Sequence, residues 1–270
     1  MALQAASREA LAGVELTLIG ALEDSTTDDF GQQLFAVAGL LDREIGLRRA
    51  LADPSTEPAD RERLVRDLLG GKVSGDVLDV VVAAVVARWS SPRQFVDGVE
   101  DLATTAVLVR AERAGRLDAV EDELFRLGRI VAGDTRLDQV LSDRTAATEG
   151  KLSLVRELIG AKTDPLTAVL VENLVAQPRG RDLVGGLEAL AAAAAKRRER
   201  SVAHVVSAGP LSAAQQESLA ASLRRIYSRP IALHVEVDPG LGGGLVIKVG
   251  DEVIDGSTRG RLDALRRRFS

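Results

Sequence analysis

The sequence predicts a mainly α-helical protein with a small α+β domain at its carboxy-terminal end: a duplicated helical bundle, then a sheet-plus-helix unit. Three observations carry this reading. The chain matches itself at an offset of 90 residues. Apolar residues recur at helical spacing as far as Arg200 and then switch to alternation. Aromatic residues are only 3% of a chain that is 46% apolar, so its cores are built from Leu, Val, Ile and Ala, which suits close-packed helices.

At 270 residues there is room for two domains with apolar cores, and 28% charged residues is ordinary for a folded protein. A net charge of −5 argues against nucleic-acid binding driven by phosphate contacts. The absence of cysteine removes disulfides, thiol nucleophiles and thiolate metal sites together. The opening residues show no basic-then-apolar signal pattern. The most hydrophobic run, residues 77–87, contains Asp79 and falls well short of the roughly 20 residues that span a bilayer. No direct membrane insertion is expected, so at a membrane another component would anchor this chain.

The repeat is specific. Of the 39 positions from 34 to 72, 11 are identical to those 90 residues later, where chance would give about three. Leu34/Leu124, Phe35/Phe125, Asp53/Asp143, Val65/Val155 and Arg66/Arg156 are among them. After a two-residue slip the match resumes at Arg93/Arg181 and Val96/Val184. Three regions follow: 1–92, a first helical copy; 93–200, a second; and 201–270, the α+β domain.

Within each copy the elements read as short helices. An opening helix over 3–22 aligns with the segment from Arg93, so the helix over 91–113 closes one copy and opens the next. Leu64, Val65, Leu68 and Leu69 place apolar groups on one face, and Gly70 supplies a stop. A helix then starts near Asp76. Its Val-rich run suits a strand by propensity, but its length and its counterpart at 166–176 argue for helix. That helix is apolar nearly all round, hence either deeply buried or one wall of a groove for a partner helix. In the second copy Leu154, Val155, Leu158, Ile159 and Gly160 repeat the arrangement, Asp164 reads as an N-cap and Pro165 as the first helical residue. A long helix over 179–200 closes the copy.

Past Arg200, residues 202–207 form a strand candidate. Ser212 with Gln215 matches a capping box ahead of Leu219, Leu223 and Ile226 on one helical face. Ile231, Leu233, Val235 and Val237 alternate with polar or small residues, as do Leu245, Ile247 and Val249. Residues 238–244 make a turn containing Pro239, Gly242 and Gly243, and Gly250-Asp251 turns the chain toward Val253. A last helix carries Leu262, Leu265 and Phe269 on one stripe.

No feature assembles an active site, and neither a cofactor nor a metal is expected. The run Gly240-Leu-Gly-Gly-Gly244 invites a phosphate-loop reading, but no Lys-Ser or Lys-Thr follows and the next element is a strand. A tight turn is the better reading. His204 and His234, the only histidines, lie on predicted strands without a third ligand. The basic runs 196–200 and 266–268 sit near helix carboxy termini, where they complement the dipole.

The carboxy-terminal residues resemble a known family. Val205-Val-Ser-Ala208 with Leu211, Ser212 and Gln215 is similar to the "V-x-S-A-x-P-L-S-x-x-Q" segment of the ATP synthase delta subunit, whose mitochondrial counterpart is the oligomycin-sensitivity-conferring protein. Val237-Asp-Pro239, Gly242-Gly243, Gly250-Asp251 and Ile254-Asp-Gly-Ser257, then Leu262 and Leu265, resemble that family's "vDP-x-l-x-GG … GD-x-viD-x-S … L-x-x-L" signature. The resemblance covers roughly residues 91–270, and the first 90 look like the duplicated helical region of actinobacterial members.

The resemblance implies a non-catalytic peripheral-stalk subunit on the cytoplasmic face of the cell membrane, resisting rotor torque during proton-driven ATP synthesis. Its partners would be alpha subunits of the catalytic head and a b-type stalk subunit. The opening and fifth helices of a copy would hold an alpha-subunit helix, which in the second copy points to Val169, Leu170 and Leu174. The stripe Leu262, Leu265 and Phe269 would face the stalk or pack on the sheet. A free-standing helical-repeat adaptor is the rival reading, and a nucleotide-binding enzyme using the glycine turn is a third.

Overall fold

Local signals place the helices where the sequence puts them, with small shifts at their ends. The computed structural model describes residues 3–143, 145–160, 162–200, 202–227, 231–250 and 252–258. The first copy holds α1 (Ala5–Asp24), α2 (Phe30–Arg43), α3 (Ile45–Ala52), α4 (Pro58–Leu69) and α5 (Gly75–Val86). Helix α6 (Pro92–Arg113) closes it and opens the second copy, which continues through α7 (Leu117–Gly133), α8 (Thr135–Ser142), α9 (Thr148–Ile159), α10 (Pro165–Ala176) and α11 (Leu183–Arg200). The chain divides into two compact units, residues 1–191 and 192–270, so both copies share one unit.

The caps explain the starts. Ser91 accepts from the Gln94 amide with Pro92 at the first helical position of α6, and Asp164 accepts from the Leu166 amide with Pro165 beginning α10. A second device is shared by the copies. Gln33 Oε1 accepts from the Ser74 amide at 2.7 Å, and Glu123, its equivalent 90 residues on, accepts from the Asp164 amide at 2.9 Å and the Thr167 hydroxyl at 2.5 Å. In each copy the second helix thus satisfies the exposed amino terminus of the fifth.

Two expectations about helix ends shift. The left-handed residue after α4 is Gly71 (φ 72°), while Gly70 keeps φ −53°. Helix α11 begins at Leu183 instead of 179, because Arg179 (φ 49°) and Gly180 (φ 82°) make a left-handed turn that a helix cannot continue through. The Val-rich run is helical and buried: Val77, Val80 and Val85 have no exposure. The stripe on α4 proves to be Arg61, Val65 and Leu69, with Leu64 turned outward. Arg61 is buried because its guanidinium donates to the Val85 carbonyl at 2.6 Å, closing the end of α5.

In the carboxy-terminal unit, β1 (Val202–Ser207) leads through α12 (Ala213–Tyr227) to β2 (Ala232–Val237), and β3 (Leu245–Val249) and β4 (Glu252–Asp255) follow. The strand order is β2-β1-β3-β4, with β1 and β2 parallel and the other pairs antiparallel. The capping box is made: Ser212 Oγ accepts from the Gln215 amide, and Gln215 Oε1 from the Ser212 amide. Ala203, Val205, Ile247 and Val249 pack with Leu223 and Ile231 into one core. Leu219 borders it and Tyr227 fills the place expected of Ile226, which points to solvent.

Candidate partner-binding surfaces

Helix α2 lies along the crease between α6 and α10. Gly31, Phe35, Gly39 and Asp42 form one stripe of α2 at i, i+4, i+8 and i+11. A Cβ at Gly31 would fall 2.5 Å from Val107 Cγ2 and 3.1 Å from the Ala103 carbonyl, and one at Gly39 would fall 2.4 Å from Gln177 Nε2. The two glycines therefore let the α2 backbone press against the second copy. At its amino-terminal end, Phe30, Gly31 and Gln32 share a cleft with Ala106, Val107 and Arg110 of α6 and with Leu166 and Val169 of α10.

Arg179 fastens the other end. Its buried guanidinium pairs with Asp97 and Glu100 of α6 and lies 3.7 Å from Asp42 of α2, while Arg181 also pairs with Glu100. Arg93 donates to the Arg179 carbonyl at 2.9 Å. This network joins α2, α6 and the turn after α10, and it makes the two copies one body. A buried charge set of this kind holds only while every partner is present.

Of the second-copy residues singled out for a partner helix, Leu170 is 1% exposed and Leu174 3%, both inside the bundle. Only Val169 reaches the cleft beside α2. A charge at Leu170 therefore breaks the core before it reports on any partner.

The corresponding crease of the first copy, between α1 and α5, is open. Ala6, Glu9, Ala10, Gly13 and Thr17 of α1 face Ala83, Val86 and Ala87, with Arg88 and Trp89 closing one end. A Cβ at Gly13 would meet no atom within 4 Å. At the 90-residue offset, Gly13, Thr17 and Ala87 correspond to Ala103, Val107 and Gln177, the residues that carry α2 in the second copy.

A third surface lies on α7. Phe125 is 59% exposed, and Ile130 and Leu158 are bare as well. Beside them Leu127, Leu137, Leu141, Val171 and Leu183 line an apolar cleft of about 360 Å³.

In the carboxy-terminal unit Pro239 begins a single 3-10 turn capped by Asp238, and Gly242 (φ 67°) and Gly243 (φ 145°) require glycine. Gly244 is tighter still. Its φ is 83°, and a Cβ there would fall 2.4 Å from the Gly256 carbonyl. The run leads into β3, as a turn between elements does. His204 and His234 are register partners on the exposed face, with Nδ1 atoms 3.4 Å apart. Among the described residues no group of three His, Cys, Asp or Glu is placed to hold a metal. Val253 and Ile254 leave β4 partly bare. Leu262, Leu265 and Phe269 lie outside the described residues.

Sequence reasoning passed over Arg179 and the role of α2. Both had a signal. The spacing Gly31-Phe35-Gly39 is a close-approach face on a helix, and Pro178-Arg-Gly180 interrupts a predicted helix.

Comparison with known proteins agrees with this architecture. The family model described as ATP synthase delta (OSCP) subunit matches residues 104–269. Similar along nearly the whole length are the ATP synthase subunit delta of Streptomyces griseus (46% identity, 99% of this chain, 100% of the relative) and of Kineococcus radiotolerans (46%, 98% and 95%). That of Thermobifida fusca is 45% identical over 99% of this chain and all of the relative. A chain in the cryo-EM structure of the Toxoplasma gondii mitochondrial ATP synthase hexamer matches loosely, at 21% identity over 62% of this chain and 94% of that one, with a TM-score of 0.32.

Proposed function

Because the chain belongs to the ATP synthase delta (OSCP) subunit family, and so is a peripheral-stalk subunit of an F-type ATP synthase, we propose that it acts as a mechanical tie between the catalytic head and the stalk. It is a peripheral part of a membrane-bound complex, and no helix among its described residues is long and apolar enough to cross a membrane. On this reading the helical unit holds an amino-terminal helix of an alpha subunit, the carboxy-terminal unit grips a b-type subunit, and the chain itself carries out no catalysis. It works on the cytoplasmic face, where the head stands still while proton flow turns the rotor.

The observation that carries the reading is the extent of the match. Relatives named as this subunit align over their whole length, the extra copy included. The physics of the helical unit supports it. A tie transmits force only if its parts do not shear, and the Arg179 network with the glycine-faced α2 makes the two copies one rigid piece. Slow dissociation and interface area then matter more than chemistry.

The test is reconstitution. Membranes stripped of this subunit should lose proton-driven ATP synthesis while the detached head still hydrolyses ATP, and adding the purified chain back should restore synthesis. Synthesis unimpaired by its removal would refute the tie. Affinity capture should bring down alpha, beta and b-type subunits together.

A further inference from the structure

We infer that the second helical copy carries a binding pocket for a small apolar organic anion, in the cleft enclosed by α7, α8, α9, α10 and α11. The pocket stands apart from the head-to-stalk reading and needs nothing from it. It also lies away from the crease beside α2. Val171 and Val175 of α10 face the pocket, whereas Leu166 and Val169 face the crease.

The first copy shows that the space comes from particular substitutions and not from the fold. At the equivalent place there, Leu51, Val65, Val81 and Phe95 are each 1% exposed or less, and the bundle is shut. Their counterparts Leu141, Val155, Val171 and Leu183 are 3–6% exposed and line a cleft of about 360 Å³. Two exchanges account for the difference. Leu183 stands where the first copy has Phe95, which removes a ring from the core. Lys151 stands for Arg61. Arg61 donates to the carbonyls of Leu51 and Val85 and so draws the end of α3 to the end of α5. Lys151 donates instead to the Asp143 carbonyl, at the end of α8. Apolar walls left facing water cost free energy in proportion to their area, and an apolar molecule seated there recovers it.

Shape and charge narrow the ligand. The walls come from five helices, so the site is a pit and not a trough along two of them, and it suits a compact molecule better than a partner helix. Its volume falls within the roughly 300–1,000 Å³ of small-molecule sites. The equivalent place in the first copy takes the ring of Phe95, so the body of the ligand is apolar and at least the size of a ring. Glu123, Arg126 and Lys162 stand at the mouth. Glu123 accepts from the Asp164 amide and the Thr167 hydroxyl, and Arg126 pairs with Asp122. Lys162 is exposed and is in no ion pair among the described residues, which leaves its ammonium to meet an anionic group.

The probe is anilinonaphthalene sulfonate, an apolar ring system with one anionic group, titrated into the full chain and followed by its fluorescence. Wild type should show one saturable site, and saturating probe should raise the melting temperature. Leu183→Phe restores the first copy's ring and should weaken binding at least about tenfold. Ile130→Glu, at a wall position already 57% exposed, should weaken binding with the fold intact by circular dichroism. Lys162→Gln should weaken the sulfonate probe about threefold and leave phenylnaphthylamine, the same rings without the sulfonate, unaffected. Phe125→Ser, on the exposed face of α7 outside the cleft, should change nothing. A wild-type chain without saturable binding, or binding that survives both Leu183→Phe and Ile130→Glu, overturns the pocket. Binding lost in Phe125→Ser overturns it too, by placing the probe on the outer face of α7. An equal response of the two probes to Lys162→Gln overturns the preference for an anion.

Discussion

Phe35 and Phe125 are the same residue at the same place in two copies of one bundle, yet the first is 5% exposed and the second 59%. The helices that carry them are alike in their inner faces, where Leu34 and Leu124 are both fully buried. The difference lies outside the copy. Helix α2 has a following copy to dock against, and α7 has none. The unit is thus a two-member array with an unfilled crease at one end and an uncovered helix at the other, as nearest-neighbour stacking predicts for repeats. The buried cations differ in the same way. Arg61 reaches the α5 carbonyl at Val85, whereas Lys151, its equivalent, reaches back only to the Asp143 carbonyl at 3.1 Å.

The sharpest test sets the two phenylalanines against each other. Phe35→Ala should lower unfolding stability by about 4 kcal/mol, in the range of buried aromatic truncations, and Phe125→Ala should change it by under ~0.5 kcal/mol. Equal losses in urea titrations would mean that α7 is covered and the comparison false. Next in size is the clamp. Arg179→Ala strands Asp97, leaves Glu100 with Arg181 alone, and should cost about 3 kcal/mol, while Arg181→Ala, at the more exposed member, should cost about 1 kcal/mol or less. Arg61→Ala leaves the end of α5 unsatisfied and should cost about 2 kcal/mol, against about 1 kcal/mol for Lys151→Ala with its single carbonyl. Similar values for the pair would show that the two α4-type helices are fastened alike.

The smallest effect is one the copies share. Asp53 and Asp143 each accept from the hydroxyl and the amide of the residue two further on, Ser55 and Thr145, and these bonds hold both carboxyls below the ordinary carboxylate range. Their contribution to stability is therefore present above the unfolded-state value and lost as pH falls through the lower folded value. Carboxyl carbon shifts followed by NMR should show both titrating below a free aspartate, and an ordinary value for either would mark a turn that one copy lacks.

Much of the chain was legible in order. Asp164-Pro165, the Ser212/Gln215 box and the alternation at 245–249 all read correctly from residues a few positions apart. The glycine turn was legible as a turn, but its tightest member, Gly244, is set by the carbonyl of Gly256 on a later segment. Leu170 and Leu174 look in sequence like any apolar anchors, and only the packing shows that both face the core.

The sequence by itself determined the capped starts of helices such as α10 and α12, the alternation of β3, and the echo of residues 34–72 ninety residues later. Those properties rest on backbone capping, side-chain periodicity and local turn chemistry, all decided within one or two turns of chain. Only the tertiary structure decided which of two identical phenylalanines is buried and which of two equivalent creases is open. Those outcomes depend on Gly39 meeting Gln177 and Asp42 approaching Arg179 across more than a hundred residues. Equal local sequences end in unequal states because burial depends on what lies opposite, and a terminal copy has a neighbour on one side only.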